Sequence, residues 1–390
     1  MASNETMILN LGPSHPSTHG VLRVILELDG EVVVKATPDI GFLHRGLEKL
    51  AESKTYHQCI PLTDRLDYVA GMSNNLAYAL AVEKLLGLEA PPRAQAVRVL
   101  LCELQRIASH ILWLGTHAHD IGAMTPLFYA LRERDEILFL FEMVCGSRLT
   151  PSYVRVGGLA ADLPEGFMER CREFTRTFPG RVDEYETLLT KNKIWMRRTQ
   201  GVGVISADDA VNWGVTGPIL RASGMDWDLR KALPYSGYEK YDFAVPTGKN
   251  GDTYDRYMVR IMEMRQSNEI VRQVLDRLPG GDILVDNPHV VYPPKEKTRE
   301  KIESLIHHFH LASEGFPTPK GEVYASIEST KGELGFYLIS DGTNKPWRFR
   351  VRPPSFVNLS ILPRIVQGRL VSDVVAIIGS IDIVLAEIDR

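Results

Sequence analysis

The sequence predicts an α+β fold in which a central bundle of long helices is flanked by small antiparallel β-sheets. Three observations carry this. Alternating apolar residues with hairpin and turn signals are confined to the two ends of the chain, at 7–36 and 323–351. Between them, apolar residues recur every three or four positions over long stretches, the period of an amphipathic helix. Each stretch carries one apolar stripe, and such stripes are buried only against one another, which makes a bundle. With 390 residues, 44% hydrophobic and 24% charged, the chain has ample material for a large core. The expected organisation is an N-terminal β-hairpin region over 1–60, a helical bundle over 61–280 and an α+β region over 281–390 that closes the functional site, integrated into one domain.

Met7 to Leu11 reads as a strand, and so does Val21 to Leu28. Between them lies Gly12 to Gly20, GPSHPSTHG. It can continue neither a strand nor a helix, because proline fixes φ and removes a donor while glycine permits positive φ. The loop is pinned by strands at both ends and stiffened inside, and it holds His15 and His19 at fixed points. Asp29-Gly30 is a two-residue hairpin signal, with Val32 to Ala36 as the returning strand. His44 to Lys49 reads as the start of a short helix. From Thr63 the period changes: Leu66, Val69, Ser73, Leu76, Leu80 and Lys84 predict a helix that begins at Thr63 and stops near Gly87. Pro91-Pro92 opens the next helix, along which Val97, Leu101, Leu104, Ala108 and Ile111 form a stripe. Thr125-Pro126 reads as N-cap and first helical residue, and Gly146 as a C-terminal stop. Pro164 and Pro179-Gly180 punctuate two further helices, and a long pattern from Tyr254 to Leu278 closes at Pro279-Gly280-Gly281. Val323 to Ile327, Leu334 to Ile339 and Trp347 to Val351 then read as antiparallel strands with a turn at Asp341-Gly342. The polar, Pro-rich stretches 281–300 and 313–321 read as surface loops.

Composition excludes several function classes. A net charge of −4 argues against broad attraction to nucleic acid. No run of 18 apolar residues occurs; the most apolar region, Val371 to Ile388, is interrupted by Asp373 and Asp382, so a spanning helix is not expected. No basic segment leads into an apolar one at the start, so no secretory signal is expected. Cys59, Cys102, Cys145 and Cys171 are widely spaced with no CxxC, and read as buried free thiols of a reducing compartment.

Four groups have the residue types for chemistry. His110, His117, His119 and Asp120 could ligate zinc, but the histidines read better as caps of a helix C-terminus, where the dipole favours imidazolium. His307, His308 and His310 read as a solvated helix face. Gly201-Val202-Gly203 lacks the third glycine and the acidic partner of a dinucleotide fingerprint. Arg65, in the first turn of the helix expected from Thr63, would oppose the helix dipole, with Asp64 and Asp67 offsetting it; the sharper reading is that it faces an anionic group of a neighbour. Tyr68 at such a position is most often core.

Five stretches go further: GPSHPSTHGVLR at 12–23, IGFLHRGLEK at 40–49, TDRLDYVAGMSNNLAYALAVEKLLG at 63–87, RIASHILWLGTHAHDIGAMTPLF at 106–128 and GSIDIVLAEIDR at 379–390. Together, in this order, they resemble the D subunit of respiratory NADH–quinone oxidoreductase (complex I), whose mitochondrial counterpart is the 49 kDa subunit. That family is similar in fold to the large subunit of nickel–iron hydrogenases. The four metal-binding cysteines of the hydrogenases correspond to Asp67, Ala70, Val384 and Glu387, so the resemblance does not extend to hydrogenase chemistry.

The resemblance implies the quinone-binding subunit of a proton-pumping NADH–quinone oxidoreductase. Such a subunit passes electrons from the terminal 4Fe–4S cluster of the neighbouring B subunit to ubiquinone or menaquinone and binds no cofactor of its own. His19 and Tyr68 match the pair that hydrogen-bonds the two quinone carbonyls, Asp120 matches the carboxylate that pairs with His19, and Arg45 and Arg65 match arginines facing the cluster. Where many members carry a histidine near that cluster this chain has Thr150, so a pH dependence of the cluster potential is not carried over. The implied partners are the B, C and I subunits and the membrane-arm H and A subunits, with no nucleic acid. The implied location is peripheral, on the cytoplasmic side of a bacterial cell membrane. Quinone reduction takes two electrons and two protons, so two donors must face each other across the ring. Tyrosine is a neutral donor at pH 7, and histidine beside a carboxylate is biased toward its protonated form. The competing expectation is a catalytically inert, hydrogenase-like scaffold subunit of a related membrane-bound oxidoreductase, against which the retained His19, Tyr68 and Asp120 argue.

Overall fold

Residues 6–15 and 20–390 are described by the computed structural model; His19 lies outside them. The fold is α+β, as expected. Strands β1 (Met7–Leu11), β2 (Arg23–Asp29) and β3 (Val32–Asp39) form an antiparallel sheet in that order. The hairpin turn is Gly30-Glu31, one residue beyond the expected Asp29-Gly30, because Asp29 still pairs with Val32. Gly30 takes the positive φ, 61°, that the turn requires.

Three short-to-medium helices follow, α1 (Leu47–Glu52), α2 (Tyr56–Thr63) and α3 (Gly71–Leu86), and then the long α4 (Pro92–Asp120) and α5 (Thr125–Cys145). Here the structure departs from the periodicity. A helix ends at Thr63 instead of starting there, and 64–70 is a turn. The apolar spacing runs straight through, but side chains claim the backbone groups that a continuous helix would use. Asp67 Oδ1 accepts from the Val69 N–H (3.0 Å), and Asn74 Nδ2 donates to the Asp67 carbonyl (3.0 Å). Gly87 (φ 66°) and Gly146 (φ 70°) stop α3 and α5 as expected. Pro92 opens α4, but Met124 rather than Thr125 caps α5.

After the two-residue pair β4 (Val154–Arg155) and β5 (Gly158–Leu159), α6 (Phe167–Leu189) runs unbroken through Pro179, contrary to expectation. Proline removes the N–H that would bond the Thr175 carbonyl. Asn268 Nδ2 supplies the missing donor to that carbonyl at 3.1 Å, so the helix passes the proline without an orphaned acceptor. The chain continues through α7 (Lys193–Thr199), α8 (Ala207–Asn212), α9 (Pro218–Ala222), α10 (Leu229–Ala232) and the long α11 (Thr253–Asp276), which carries Asn268. Two helices, α12 (Lys295–Glu300) and α13 (Ile302–Ser313), follow, α12 falling in a stretch expected to be loop. Strands β6 (Gly321–Ser329), β7 (Gly332–Ser340) and β8 (Arg348–Arg352) form the second three-stranded sheet, and α14 (Pro354–Ser360), α15 (Leu362–Val366), α16 (Val371–Ile381) and α17 (Leu385–Asp389) complete the fold.

Among the described residues, three large apolar cores and one small cluster result. The bundle core joins α4, α5, α6 and α11. A second joins β2 and β3 to α9, α15 and α16. A third joins α1, α2 and α3 to β6, β7 and β8. A buried ionic chain threads the bundle: Arg230 reaches Glu103 (3.1 Å), and Arg221 joins Glu263 (2.7 Å) to Glu328 (2.8 Å). Each charge is partnered, which offsets part of its desolvation cost.

Candidate functional site

The turn 64–70 is where the cores meet, and it is held from several sides. Asp64 is buried and accepts from Asn75 Nδ2 (2.8 Å) and the Ser152 N–H (3.1 Å); Gln105 of α4 donates to the Val69 carbonyl (2.6 Å). Val69 packs with Val384 and Ala386 of the C-terminal segment. On this turn, buried apart from Arg65, Tyr68 is 48% exposed, so it is not a core residue. Among the described residues its hydroxyl makes no hydrogen bond. Desolvation raises its pKa, and so does the Asp67 charge beside it. Tyr68 is thus a neutral donor at ordinary pH, held on a rigid turn and facing outward.

Directly behind it lies a charge cluster that the sequence alone did not single out. Lys331, in the buried turn between β6 and β7, pairs with Asp67 (3.1 Å) and lies 3.8 Å from Asp382 Oδ2. Asp382 is the left-handed C-cap of α16 (φ 57°), and Arg260 Nε of α11 lies 4.0 Å from the same oxygen. Glu387 of α17 accepts from the Ser355 N–H at 3.1 Å. Burial pushes the Asp382 carboxyl up to about 6, and burial with the nearby Asp67 charge pushes Glu387 up to about 7. One signal for these residues was present: Asp382 and Glu387 interrupt the most apolar run of the chain, and acids there require partners. Lys331 had none, because only the β-turn brings it in.

Arg45 and Arg65 are both exposed. Arg65 follows the C-terminus of α2 instead of opening a helix, and donates to the Pro61 carbonyl at 2.5 Å, a position that suits the dipole. Arg45 donates to the Arg65 carbonyl (2.8 Å) and the Ala386 carbonyl (3.4 Å), tying 40–49, the turn and the C-terminal segment together. The Gly41 and Leu43 N–H groups donate to the Asp389 carboxylate at 2.9 and 2.7 Å.

Asp120 ends α4 half-buried; desolvation raises its pKa, with the His119 and His15 charges opposing. It lies against Gly379 of α16, where an added Cβ would meet Asp120 Oδ2 at 3.5 Å and collide with His117. Asp120 thus meets α16 less than one turn before Asp382. The expected partner His19 is outside the described residues. Thr150 sits beside Ser147, whose Oγ accepts from the Thr150 N–H at 3.2 Å.

The other candidates have structural partners. His110 is buried, with Nε2 2.8 Å from Glu263, and desolvation pushes its pKa down to about 4, so it is a neutral donor. His117 stacks on Trp113 at 5.2 Å, and His119 is exposed. His308 and His310 are exposed and His307 half-buried. The four cysteines are free thiols, and burial pushes Cys59, Cys102 and Cys171 up to about 12. Among the described residues, no three or more His, Cys, Asp or Glu side chains gather to hold a metal ion, and no helix is long and apolar enough to cross a membrane.

Four of the five stretches singled out above, those at 40–49, 63–87, 106–128 and 379–390, contribute to this one place. Comparison with known proteins gives the same direction. Residues 120–390 match the family described as the 49 kDa subunit of respiratory-chain NADH dehydrogenase. Over 390 residues, covering all of both chains, the protein is 62% identical to the NADH-quinone oxidoreductase D subunit of Geotalea uraniireducens and 61% identical to that of Geobacter sulfurreducens. To the second such D subunit of Chloroflexus aurantiacus it is 58% identical over 389 residues, 99% of this chain and 95% of the relative.

Proposed function

Because the chain belongs to the family of D subunits of NADH-quinone oxidoreductase, the 49 kDa subunit of the respiratory-chain enzyme, we propose that the turn bearing Tyr68 is the protein's face of the quinone site. The protein is a subunit of an oxidoreductase complex. In this reading Tyr68 gives a hydrogen bond and a proton to one quinone carbonyl, and His19 with Asp120 serves the other. Electrons arrive from the 4Fe–4S cluster of the B subunit, toward which Arg45 and Arg65 are directed. The C, I, H and A subunits complete the surroundings, and the chain sits peripherally on the cytoplasmic side of the membrane.

The observation that carries the reading is the exposure of Tyr68. A phenol at 48% exposure on a turn fixed by buried hydrogen bonds has little packing role and an unused donor. Its raised pKa keeps the proton on oxygen until an oxyanion develops on the bound ring. Cys59, Cys102 and Cys171 are buried thiols held protonated, and Cys145 is a half-buried free thiol, so in this reading the chain's residues supply protons and position, and the partner's cluster supplies electrons.

The test is Tyr68→Phe in the assembled complex. Losing one donor to a developing anion slows quinone reduction about 10²–10³-fold, while electron transfer from NADH to an artificial acceptor upstream of the site is spared. A ratio of quinone to artificial-acceptor activity equal to wild type would make Tyr68 a packing residue and leave the inert-scaffold reading standing.

A further inference from the structure

We propose that the buried cluster of Asp67, Lys331, Asp382 and Glu387 holds the proton that replaces the one Tyr68 gives up, and so acts as an internal proton donor to the site. This rests on the reading of Tyr68 given above.

Its geometry is that of a built site. Asp67 is adjacent to Tyr68 in the chain. The other groups come from unrelated elements: Lys331 from the β6–β7 turn, Asp382 from the end of α16, Glu387 from α17 and Arg260 from α11. All five side chains are buried. Three carboxyls thus face two cations, and Arg260 is shared with Glu263 of the bundle's ionic chain. A buried group of charges settles near neutrality, since an uncompensated ion there carries a large desolvation penalty. One carboxyl of the three therefore keeps its proton.

Asp382 Oδ2 marks where it can move. This oxygen is buried and has no hydrogen-bond partner among the described residues. The Lys331 and Arg260 nitrogens stand off at 3.8 and 4.0 Å, beyond hydrogen-bond reach. Such a gap is one that a proton or a water molecule fills. Tyr68 lies in the field of Asp67, Lys331 and Asp382, and Glu387 in that of Asp67 and Lys331, so the groups form one electrostatic unit.

In the proposed step, Tyr68 loses its O–H proton to the carbonyl oxygen of the ring, which the complex reduces with electrons originating from NADH. A carboxyl O–H of the cluster then breaks as an O–H forms on the Tyr68 oxygen, and the cluster takes a proton back from solvent before the next turnover. The direction is downhill, because the donors sit at about 6 and about 7 while the phenol lies above its ordinary value.

The test uses the assembled complex, with quinone reduction normalised to artificial-acceptor activity and followed against pH. In wild type the normalised rate declines as pH rises through about 7. Glu387→Gln keeps an oxygen for the Ser355 N–H but cannot carry the proton, so its rate falls about 10²-fold and the decline near neutrality disappears. Glu387→Asp restores a pH-dependent rate, which a merely structural role would not do. Wild-type rate and profile in Glu387→Gln overturn the proposal. If the variant fails to assemble, redox-difference infrared spectra of the wild-type complex decide. A protonated-carboxyl C=O band that changes on quinone reduction supports the donor, and its absence overturns it. Slow Tyr68→Phe with normal Glu387→Gln rejects the donor alone, whereas normal Tyr68→Phe rejects the quinone-site reading beneath it.

Discussion

At the scale of single residues, the same carboxyl that serves chemistry leaves a mark on stability. Glu387 is held at about 7, against an ordinary value of 4.5, by burial and the Asp67 charge. The folded chain therefore keeps a proton that the unfolded chain releases. That contribution is fully present below about pH 4.5 and is lost as pH rises through about 7. Glu387→Gln has nothing to lose over this interval, so its melting temperature relative to wild type should rise between those two limits. A constant difference would mean that the carboxyl ionises freely. His110 runs the other way: held at about 4 by burial, it weakens the fold as pH falls below its ordinary 6.5. Asn268 offers a second residue-scale test. Asn268→Ala strips the Thr175 carbonyl of its donor and should cost about 1–3 kcal/mol in denaturant unfolding. In a Pro179→Ala background, where the helix supplies its own N–H, the loss should shrink; equal losses in both backgrounds would mean that Asn268 acts elsewhere.

At the scale of elements, the end of α2 sets what Arg65 can do. Its guanidinium caps the Pro61 carbonyl and remains exposed, so the positive charge is fixed in place; among the described residues it makes no ion pair, though it lies in the field of the buried Asp64 carboxyl. A fixed cation stabilises the reduced, more negative state of a nearby redox centre. Arg65→Met should lower the midpoint potential of the partner's cluster in the assembled complex, read by titration of its EPR signal; an unchanged potential would place Arg65 away from the cluster. Elements differ in how legible they were. The start of α4 and the start and stop of α5 are written locally, in Pro92, Pro126 and Gly146. The continuity of α6 is not, because the donor that satisfies the Thr175 carbonyl past Pro179 lies 93 positions from that carbonyl, in α11. The break before α3 is not legible either, since Leu66 and Val69 keep the helical spacing while Asp67 and Asn74 side chains take the backbone groups. Tyr68 and Asp120 became candidates through resemblance. Lys331 was invisible, since nothing in its neighbourhood of the chain tells which distant acids the β6–β7 turn carries it to.

At the scale of the whole molecule, the site belongs to no single core. The turn 64–70 stands where the bundle, the first sheet with its helices and the second sheet all abut, and the C-terminal segment locks them. The longest-range of those locks joins Gly41 to Asp389 across 348 positions. On a ribosome adding about 5–20 residues per second, that bond waits roughly 20–70 s after the first partner emerges. Until then the 40–49 segment lacks its tie to the C-terminal segment, leaving Arg45 only the Arg65 carbonyl, and the apolar faces of β2 and β3 have no α16 to cover them. The nascent chain therefore spends most of its synthesis with the face around the turn 64–70 incomplete. A chaperone that shields the N-terminal sheet, or a partner subunit that docks only on the finished turn, would find its timing set by the translation of residues 371–389.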